Sequence, residues 1–505
     1  MELRITSKSA VNTKHPDYDV YALSWARVRD CLNGEDTVKR KTTDYLPRPA
    51  GMDGKYKAAY DAYIERAHFP LITAYALSGA LGVITTKLPE FNVPDKLSYI
   101  LKEATKDGRS IQQLFLDCMI EVFQTGRVPL LVDVIDEKNE FRFVQYTAES
   151  FINWKTSQLK SEQSLILATL AESLPATEDL FSHDTLEVFR VLSLDADGNY
   201  SSSVYGAKTE YTDMFRTPTF MGKYYPEVPL IVAGSINNSY DLQPIPLISV
   251  ANCSIQIYRK EADLANSEFL SCNPTLVLTG ASNDDNLPNV VGSSVMIVIP
   301  NEASRVFYTR TDTFALTHVK AHIESLYEEA IRHGVAILDA RKGVEAAEAL
   351  RIRQATQSAS IYSIYLAVLN AIKQGLVIMC KWAGYNEEEV ILDAPSSLTY
   401  GIPDPAVLKQ IVEGFAMNVV PLNVIHRYLV SSGLIDQTIS YTEYLEMLFE
   451  QKTLLDSNTD KDKPTTTKKE ETALINDNTK QKDKPEIQTS KSTVEEVSGA
   501  EDKLV

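Results

Sequence analysis

The chain has 505 residues, 44% hydrophobic and 23% charged, and its formal net charge is −18 with a pI of about 5.0. These proportions are ordinary for a globular protein, and the length is sufficient for several domains or one large elaborated domain. The acidic balance argues against a protein that grips nucleic acid tightly, because such proteins normally present a basic face. It does not exclude a protein that lets DNA slide past it.

The N-terminal residues lack the apolar run of a signal peptide, and no uninterrupted apolar stretch is long enough to span a bilayer. We therefore expect an intracellular protein without a membrane span. The cysteines lie far apart with no CxxC pair, which predicts reduced, buried thiols rather than a disulfide framework or a zinc site. They are Cys31, Cys118, Cys253, Cys272 and Cys380.

Residues 1–243 predict an α+β domain in which helices come first and strands follow. The first helix places Trp25, Val28 and Leu32 on one face and ends at Gly34. One long helical pattern covers 56–87, with tyrosines that we expect to form a packed aromatic ridge, and an amphipathic helix covers 110–126. Strands are predicted at 128–135, 140–144, 164–171, 187–194 and 200–205, the last two forming a hairpin.

The segment 244–382 is the part around which the chain is organised. A helix at 246–270, a β-rich insert at 272–312 and a second helix at 313–334 are followed by a short basic loop. One long helix then covers 344–382 without proline, and its second half is apolar over most of its surface, which is typical of a buried element. Gly375 is a position where this helix could bend. A returning strand is predicted at 389–392.

The C-terminal part divides into a helical unit and a tail. The unit has predicted helices at 405–417, 421–432 and 441–451. From residue 453 onward aromatic residues are missing and lysine alternates with acidic residues. Such a segment cannot bury enough apolar surface to fold alone, so we expect it to be disordered.

Motifs of enzymatic chemistry are not found in the sequence. It contains no GxxxxGK[ST], GxGxxG, GxSxG or HExxH. His318 and His322 are four residues apart on a predicted helix, but no third ligand is in register, which favours chance or structural histidines. We expect no enzyme activity, no cofactor and no metal site.

Several stretches, in order over residues 20–380, carry a resemblance to a known family. They are Tyr60-Asp-Ala-Tyr63-Ile-Glu-Arg66-Ala67-His-Phe69, Leu77-Ser-Gly79-Ala-Leu-Gly82 with Lys87-Leu-Pro89, Asp107-Gly108-Arg-Ser-Ile, Thr125-Gly126-Arg127-Val-Pro-Leu-Leu-Val132-Asp133, Ile152-Asn153-Trp154, the run from Pro246 to Asp263, and Asn273-Pro274-Thr-Leu-Val-Leu-Thr279-Gly280. Together they resemble the portal-like proteins of tailed bacteriophages, the head-to-tail connectors. The sequence departs from the family pattern at Phe69-Pro70 and at Pro129, which are local packing differences.

The resemblance implies a ring of identical subunits, usually dodecameric, at one vertex of an icosahedral capsid. Double-stranded DNA would pass through its axial channel, driven by a separate terminase ATPase during packaging. The implied partners are other copies of the chain, the terminase large subunit, the tail adaptor protein, and the major capsid and scaffold proteins. The implied location is the virion, and the host cytoplasm during assembly, with no membrane partner and no cofactor.

The resemblance also implies a portal fold within the α+β class, with wing, helical stem, β-containing clip and helical crown. Its boundaries are 1–243 for the wing, 244–270 and 313–334 for the stem helices, 271–312 for the clip, 335–344 for the tunnel loop, 345–402 for the long wing helix and returning strand, 403–452 for the crown and 453–505 for the disordered tail.

Candidate DNA-channel residues follow from this map. Arg341 and Lys342 lie in the loop between two helices, where cations could steady phosphates, although ordinary solvated loop charges have the same pattern. Arg259, Lys260 and Lys320 on the stem helices are further candidates. For these three, ion pairs between subunits, with Glu261, Asp263 or Glu324, are the favoured role because a ring needs adhesion from side to side.

The insert contains an exposed polar tip that could contact terminase or adaptor, or could be a plain solvated turn. Its residues are Asn283, Asp284, Asp285 and Asn286. The alternative to a portal is a monomeric or dimeric helical scaffold or adaptor that uses the long helix as a partner surface. An enzyme with unrecognised residues is a third possibility, and a ring with a central hole distinguishes the portal from both.

Overall fold

The computed structural model confirms the mixed helix and sheet class and divides the chain into two compact units, Met1–Tyr400 and Gly401–Val505. The described residues are 11–50, 52, 57–135, 139–157, 164–176, 181–195, 197–206, 215–272, 275–279, 305–309, 314–332, 347–395, 405–417, 419–431, 434–435 and 439–459.

The first unit begins with helices α1 (Tyr18–Asn33) and α2 (Glu35–Arg40). Trp25 and Val28 are fully buried and Leu32 is partly buried against the same hydrophobic core, as the helical spacing predicts. Gly34 ends α1 with a φ of +93°, a conformation that side chains other than glycine rarely adopt. The predicted stop is therefore confirmed.

The single long helix predicted at 56–87 is wrong. Two helices occur there, α3 (Lys57–Arg66) and α4 (Ile72–Thr85). Pro70 separates them because it has no backbone N–H to donate and its ring obstructs a continuing helix. Tyr60 and Tyr63 are buried on α3, as expected of packed tyrosines.

The helix α5 (Ile111–Thr125) matches its prediction closely. The Ser110 hydroxyl accepts a hydrogen bond from the Gln113 N–H and caps its start. Gly126 ends it in the left-handed conformation, and a Cβ there would lie 2.7 Å from the Gln243 carbonyl oxygen. Only glycine allows this close approach.

Two antiparallel sheets follow α5. One has the order β3–β2–β8, formed by β2 (Arg127–Ile135), β3 (Glu140–Gln145) and β8 (Leu230–Gly234). The other has the order β4–β5–β6–β7, formed by β4 (Phe151–Ser157), β5 (Ser164–Pro175), β6 (Thr185–Leu194) and β7 (Tyr200–Gly206). The hairpin β6–β7 confirms its prediction, whereas β4 and β8 are strands that the sequence patterns did not predict.

The helices α6 (Ile248–Cys272), α7 (Phe314–Ala330) and α8 (Ala347–Ala383) lie close to their predicted bounds. The C-terminal half of α8 packs against β2, β8 and α5. Trp382 contacts both sheets, with its ring 5.6 Å from that of Phe141 and 6.2 Å from that of Tyr200. The long helix therefore forms the centre of the core, as its apolar second half predicts.

The expectation that no stretch could span a membrane needs correction. Within the described residues, Ala359–Ala383 is long and apolar enough to do so by length and composition. However, 61% of its most apolar window is buried inside the protein. A buried core helix passes the same test, and the packing of α8 identifies it as such.

The returning strand begins later than predicted. Glu387–Glu389 forms a short 3₁₀ turn, and the strand β11 (Ile391–Asp393) follows. It pairs antiparallel with β1 (Glu90–Asn92), with Phe91 opposite Leu392. The pairing ties the segment after α8 back to the segment after α4.

In the second unit the helices are α9 (Pro405–Ala416), α10 (Leu422–Ser431) and α11 (Tyr441–Thr459). The first two match their predictions. The tail predicted from residue 453 needs correction, because residues 453–459 belong to α11. Lys452, Leu454 and Leu455 continue a helix whose spacing does not break there. The rest of the predicted tail lies outside the described residues.

Candidate functional site

The helices α6 and α7 run antiparallel and are joined at one end by a two-stranded ribbon. Cys253 lies near Glu329, Tyr327 near Glu261 and Lys320 near Glu268, so positions descend along α7 as they rise along α6. The ribbon consists of β9 (Thr275–Thr279) and β10 (Arg305–Thr309), paired antiparallel with Thr279 opposite Arg305. We call α6, β9, β10 and α7 the stem segment.

The stem segment leaves the core along α6. The first half of α6 buries one face, with Val250, Ile257 and Tyr258 at no exposure. Near its C-terminal end Phe269 and Leu270 are 41% and 49% exposed. Along the seam with α7 the buried apolar residues are Leu264, Ile323, Leu326 and Ala330. These seam residues belong to the same hydrophobic core, so the core extends along the helix pair and holds its two helices together.

Two of the three candidate channel residues on the stem helices make contacts within the chain. The Arg259 Nε donates a hydrogen bond to the Tyr45 carbonyl oxygen at 2.6 Å. The Lys320 Nζ lies 2.9 Å from the Glu268 carboxylate, and both side chains are about half exposed. A pair this exposed is worth roughly 0.2–1 kcal/mol. Lys260 is half-buried on α6.

The acidic residues expected to pair across subunits differ in their surroundings. Asp263 accepts a hydrogen bond from the Tyr63 hydroxyl at 2.7 Å, which links α6 to α3. Burial, together with this carboxylate, raises the pKa of Tyr63. Glu261 is half-buried and Glu324 is exposed on α7. Asp263 therefore has a partner in its own chain, whereas Glu324 remains accessible.

Arg341 and Lys342 lie outside the described residues, as do the polar tip residues Asn283, Asp284, Asp285 and Asn286. Their proposed roles stay predictions from the sequence.

An ion-pair network fixes α1 against α5. The Arg29 guanidinium donates to Glu149 at 2.5 Å, to Gln124 at 2.6 Å and to Glu121 at 2.7 Å. Burial alone would lower the pKa of Arg29, but the two carboxylates outweigh it and raise that pKa. Arg29 therefore stays charged, and its hydrogen bonds hold the two helices together.

Arg127, at the start of β2, is a fully buried cation that sequence reasoning did not single out for a structural role. Its guanidinium lies 4.7–5.2 Å from the rings of Trp25, Phe151 and Trp154. Its Nη2 donates to the carbonyl oxygens of Ala148 and Phe151. Burial lowers its pKa to about 9, and the ring faces offset part of the desolvation. The one feature of the sequence that could have indicated this role is the position of Arg127 directly after Gly126, which ends α5.

Four cysteines are buried free thiols, as expected, but Cys272 is exposed because it lies at the end of α6. Burial raises the pKa of Cys31 to about 12, which keeps it a protonated, inert thiol. Among the described residues no three His, Cys, Asp or Glu side chains are grouped to hold a metal ion. His318 and His322 are exposed on α7.

Residues 246–383 match a domain of unknown function, DUF4055. The match begins just before α6 and ends with α8, so it covers the stem segment and the long helix. No curated protein matches the sequence. Among solved structures, the chain is similar to one in the neck of an empty GTA particle computed with C6 symmetry. The two chains are 11% identical and superpose with a TM-score of 0.33. The alignment covers 70% of this chain and 87% of that one. At this TM-score the two structures differ too much for the likeness to carry an argument about function.

Proposed function

We propose that this chain is a portal-type connector, with identical copies forming a ring at one capsid vertex. Double-stranded DNA would pass through its channel during genome packaging, retention and ejection. The ring would dock a terminase large subunit first and a tail adaptor later. The chain itself would carry no catalytic site, because the terminase supplies the motor.

The observation that carries this proposal is the stem segment. An antiparallel helix pair that leaves the core and bears a β-ribbon at its end has the arrangement expected of portal stem and clip. The long helix α8 follows it in the chain and is anchored in the core. These elements occur in the order that the sequence resemblance implies.

Charge supports passage of DNA without adhesion. The helix α6 has two basic and three acidic side chains, and α7 has one basic and three acidic. Twelve copies of a chain with net charge −18 would give a ring with roughly −200 charges, which repels phosphates over most of its wall. A wall of this sign lets DNA move instead of binding it.

The adaptor alternative requires an accessible surface on the long helix. The C-terminal half of α8 is mostly buried against both sheets, with Val368, Ile372 and Leu376 at no exposure. That half is therefore occupied by its own chain and gives the alternative no support.

The test is negative-stain electron microscopy together with light-scattering mass on the same purified sample over a range of concentrations. We expect rings with an axial hole and a mass near twelve times 56.3 kDa. A monomer or dimer at every concentration would contradict the ring. Rings without a hole would contradict the channel while leaving the assembly intact.

A further inference from the structure

A cleft of about 300 Å³ between α1 and α6 contains two arginine side chains. Arg27 comes from α1 and Arg259 from α6, and Asn252 and Gln256 lie between them on the same face of α6. Within the described residues neither guanidinium forms an ion pair. Two arginines and one carboxylate, that of Asp44, line the cleft, so its local charge is positive in a chain with net charge −18.

Both guanidiniums are held in place but keep most of their hydrogen-bonding capacity. The Arg27 Nη1 donates to the Asn252 Oδ1 at 2.7 Å, and the Arg259 Nε donates to the Tyr45 carbonyl oxygen at 2.6 Å. A guanidinium has five N–H donors, so one hydrogen bond each leaves most donors for a ligand. Side chains already fixed in this way lose less entropy when they bind a carboxylate.

The surroundings of the cleft favour a protein ligand over a phosphate backbone. Val20 and Leu23 are 71% and 75% exposed and lie on the same face of α1 as Arg27, at helical spacing. Exposed apolar side chains gain from burial against protein but not against phosphates. The carboxylate of Asp44 also lines the cleft and opposes any anionic ligand, but the two guanidiniums exceed it in charge.

A matching acidic surface is present on α7 of the same chain. Glu324 and Glu328 are exposed, one helical turn apart, and neither forms an ion pair within the described residues. Their positions differ by about 6 Å along the helix axis. Among the described residues the principal packing partner of α7 is α6, and Glu324 and Glu328 are exposed on α7.

We propose that the cleft of Arg27 and Arg259 binds Glu324 and Glu328 of a second copy of this chain. This inference rests on the proposed ring and names one of its lateral contacts. A closed ring uses two different complementary surfaces on each subunit, and these two surfaces have opposite charge. Carboxylates that bind a guanidinium form charge-assisted, bidentate hydrogen bonds, which also fix the orientation of the subunits.

Two charge-reversal variants of the full chain test the contact. The first is Arg27→Glu/Arg259→Glu, and the second is Glu324→Arg/Glu328→Arg. Each variant alone places like charges at the contact, so we expect each to lose rings in negative stain and in light-scattering mass. An equal mixture has complementary charges at every contact of an alternating ring, so we expect the mixture to regain rings.

The control for the arginine reversal is Lys57→Glu/Lys155→Glu, which changes the net charge by the same amount as that variant, at two exposed lysines on α3 and β4. We expect it to form rings like the wild type. Circular dichroism of each variant checks that it folds. If the Arg27→Glu/Arg259→Glu variant does not fold, Arg27→Gln/Arg259→Gln removes the same two charges by a milder change.

The outcomes separate this inference from the proposed function. If the wild type and the Arg27/Arg259 variants form rings equally well, the proposed contact is contradicted and the proposed ring is not. If both reversal variants lose rings and their mixture does not regain them, the two surfaces do not meet. If the wild type stays monomeric at every concentration, both the ring and the second copy in the cleft are contradicted.

Discussion

Gly375 lies in the C-terminal half of α8, where the long helix crosses β3 and β8. A Cβ at this position would lie 2.3 Å from Cε1 and 2.7 Å from Cζ of Phe143, and 3.4 Å from Cδ1 of Ile231. Phe143 has no exposed surface, so its ring cannot turn toward solvent. We therefore expect Gly375→Ala to force the helix and the sheet apart.

Two opposing effects decide the magnitude. Alanine is favoured over glycine in a helix interior by about 1 kcal/mol. Overpacking a close-packed core costs typically about 1–3 kcal/mol, and the 2.3 Å approach places this site toward the upper end. The expected net result is a loss of about 1–2 kcal/mol in the free energy of unfolding.

Gly82→Ala is the matched control. Gly82 lies in α4, and no atom lies within 4 Å of the Cβ it would gain. Only the helix-propensity effect remains there, so we expect a gain of about 0.5–1 kcal/mol.

The assay is thermal and urea unfolding of the purified chain followed by circular dichroism. A change of 1 kcal/mol shifts the melting temperature by about 2–4 °C in domains of 150–250 residues. The two variants should shift it in opposite directions, and adding Phe143→Leu to Gly375→Ala should recover part of the loss. If Gly375→Ala raises the melting temperature as Gly82→Ala does, the packing argument is refuted.

Three further predictions concern separate features. Burial raises the pKa of Tyr258 to about 12, and its hydroxyl has no hydrogen-bond partner among the described residues, so Tyr258→Phe should be at least as stable as the wild type near pH 8. The pKa of Tyr258 in the folded chain exceeds its unfolded value of 10.0, so the wild type should lose stability relative to Tyr258→Phe as the pH rises from 10 to 12. If the urea unfolding midpoints of the two proteins change in parallel over that range, this prediction is contradicted. In a double-mutant cycle, Lys320→Ala and Glu268→Ala should show a coupling below about 1 kcal/mol, and a larger value would mean that the pair is shielded from water. Arg341→Ala/Lys342→Ala should assemble into rings but package or retain DNA abnormally, and normal packaging by this variant would remove both residues from the mechanism.

Several elements could be predicted because their signals are local. The α1 stop at Gly34, the stripe of α5 and the β6–β7 hairpin depend on residues within a few positions of one another. The predicted bounds of α6 and α8 are accurate for the same reason, because helical periodicity is repeated over many turns. The single helix predicted at 56–87 is the exception, because a helical pattern continues on both sides of Pro70 although the helix itself does not.

The missed strands have non-local partners. The strand β8 pairs with β2, about a hundred positions earlier in the chain, and Leu230 lies opposite Leu131. A five-residue apolar run such as 230–234 does not by itself distinguish a strand from part of a helix. The paired strands β1 and β11 lie even farther apart in the chain. The sequence of one strand therefore does not indicate which strand it pairs with.

The sequence by itself determined the α+β class, the positions of most helices and of several strands, the acidic charge and the resemblance that led to the proposed connector. Tertiary structure decided which charged groups meet. Arg27 and Arg259 share one cleft only because α1 packs on α6, and Arg127 lies among three aromatic rings that come from α1 and β4. Periodicity and spacing describe neighbours along the chain, whereas these contacts depend on how the faces of distant elements pack together.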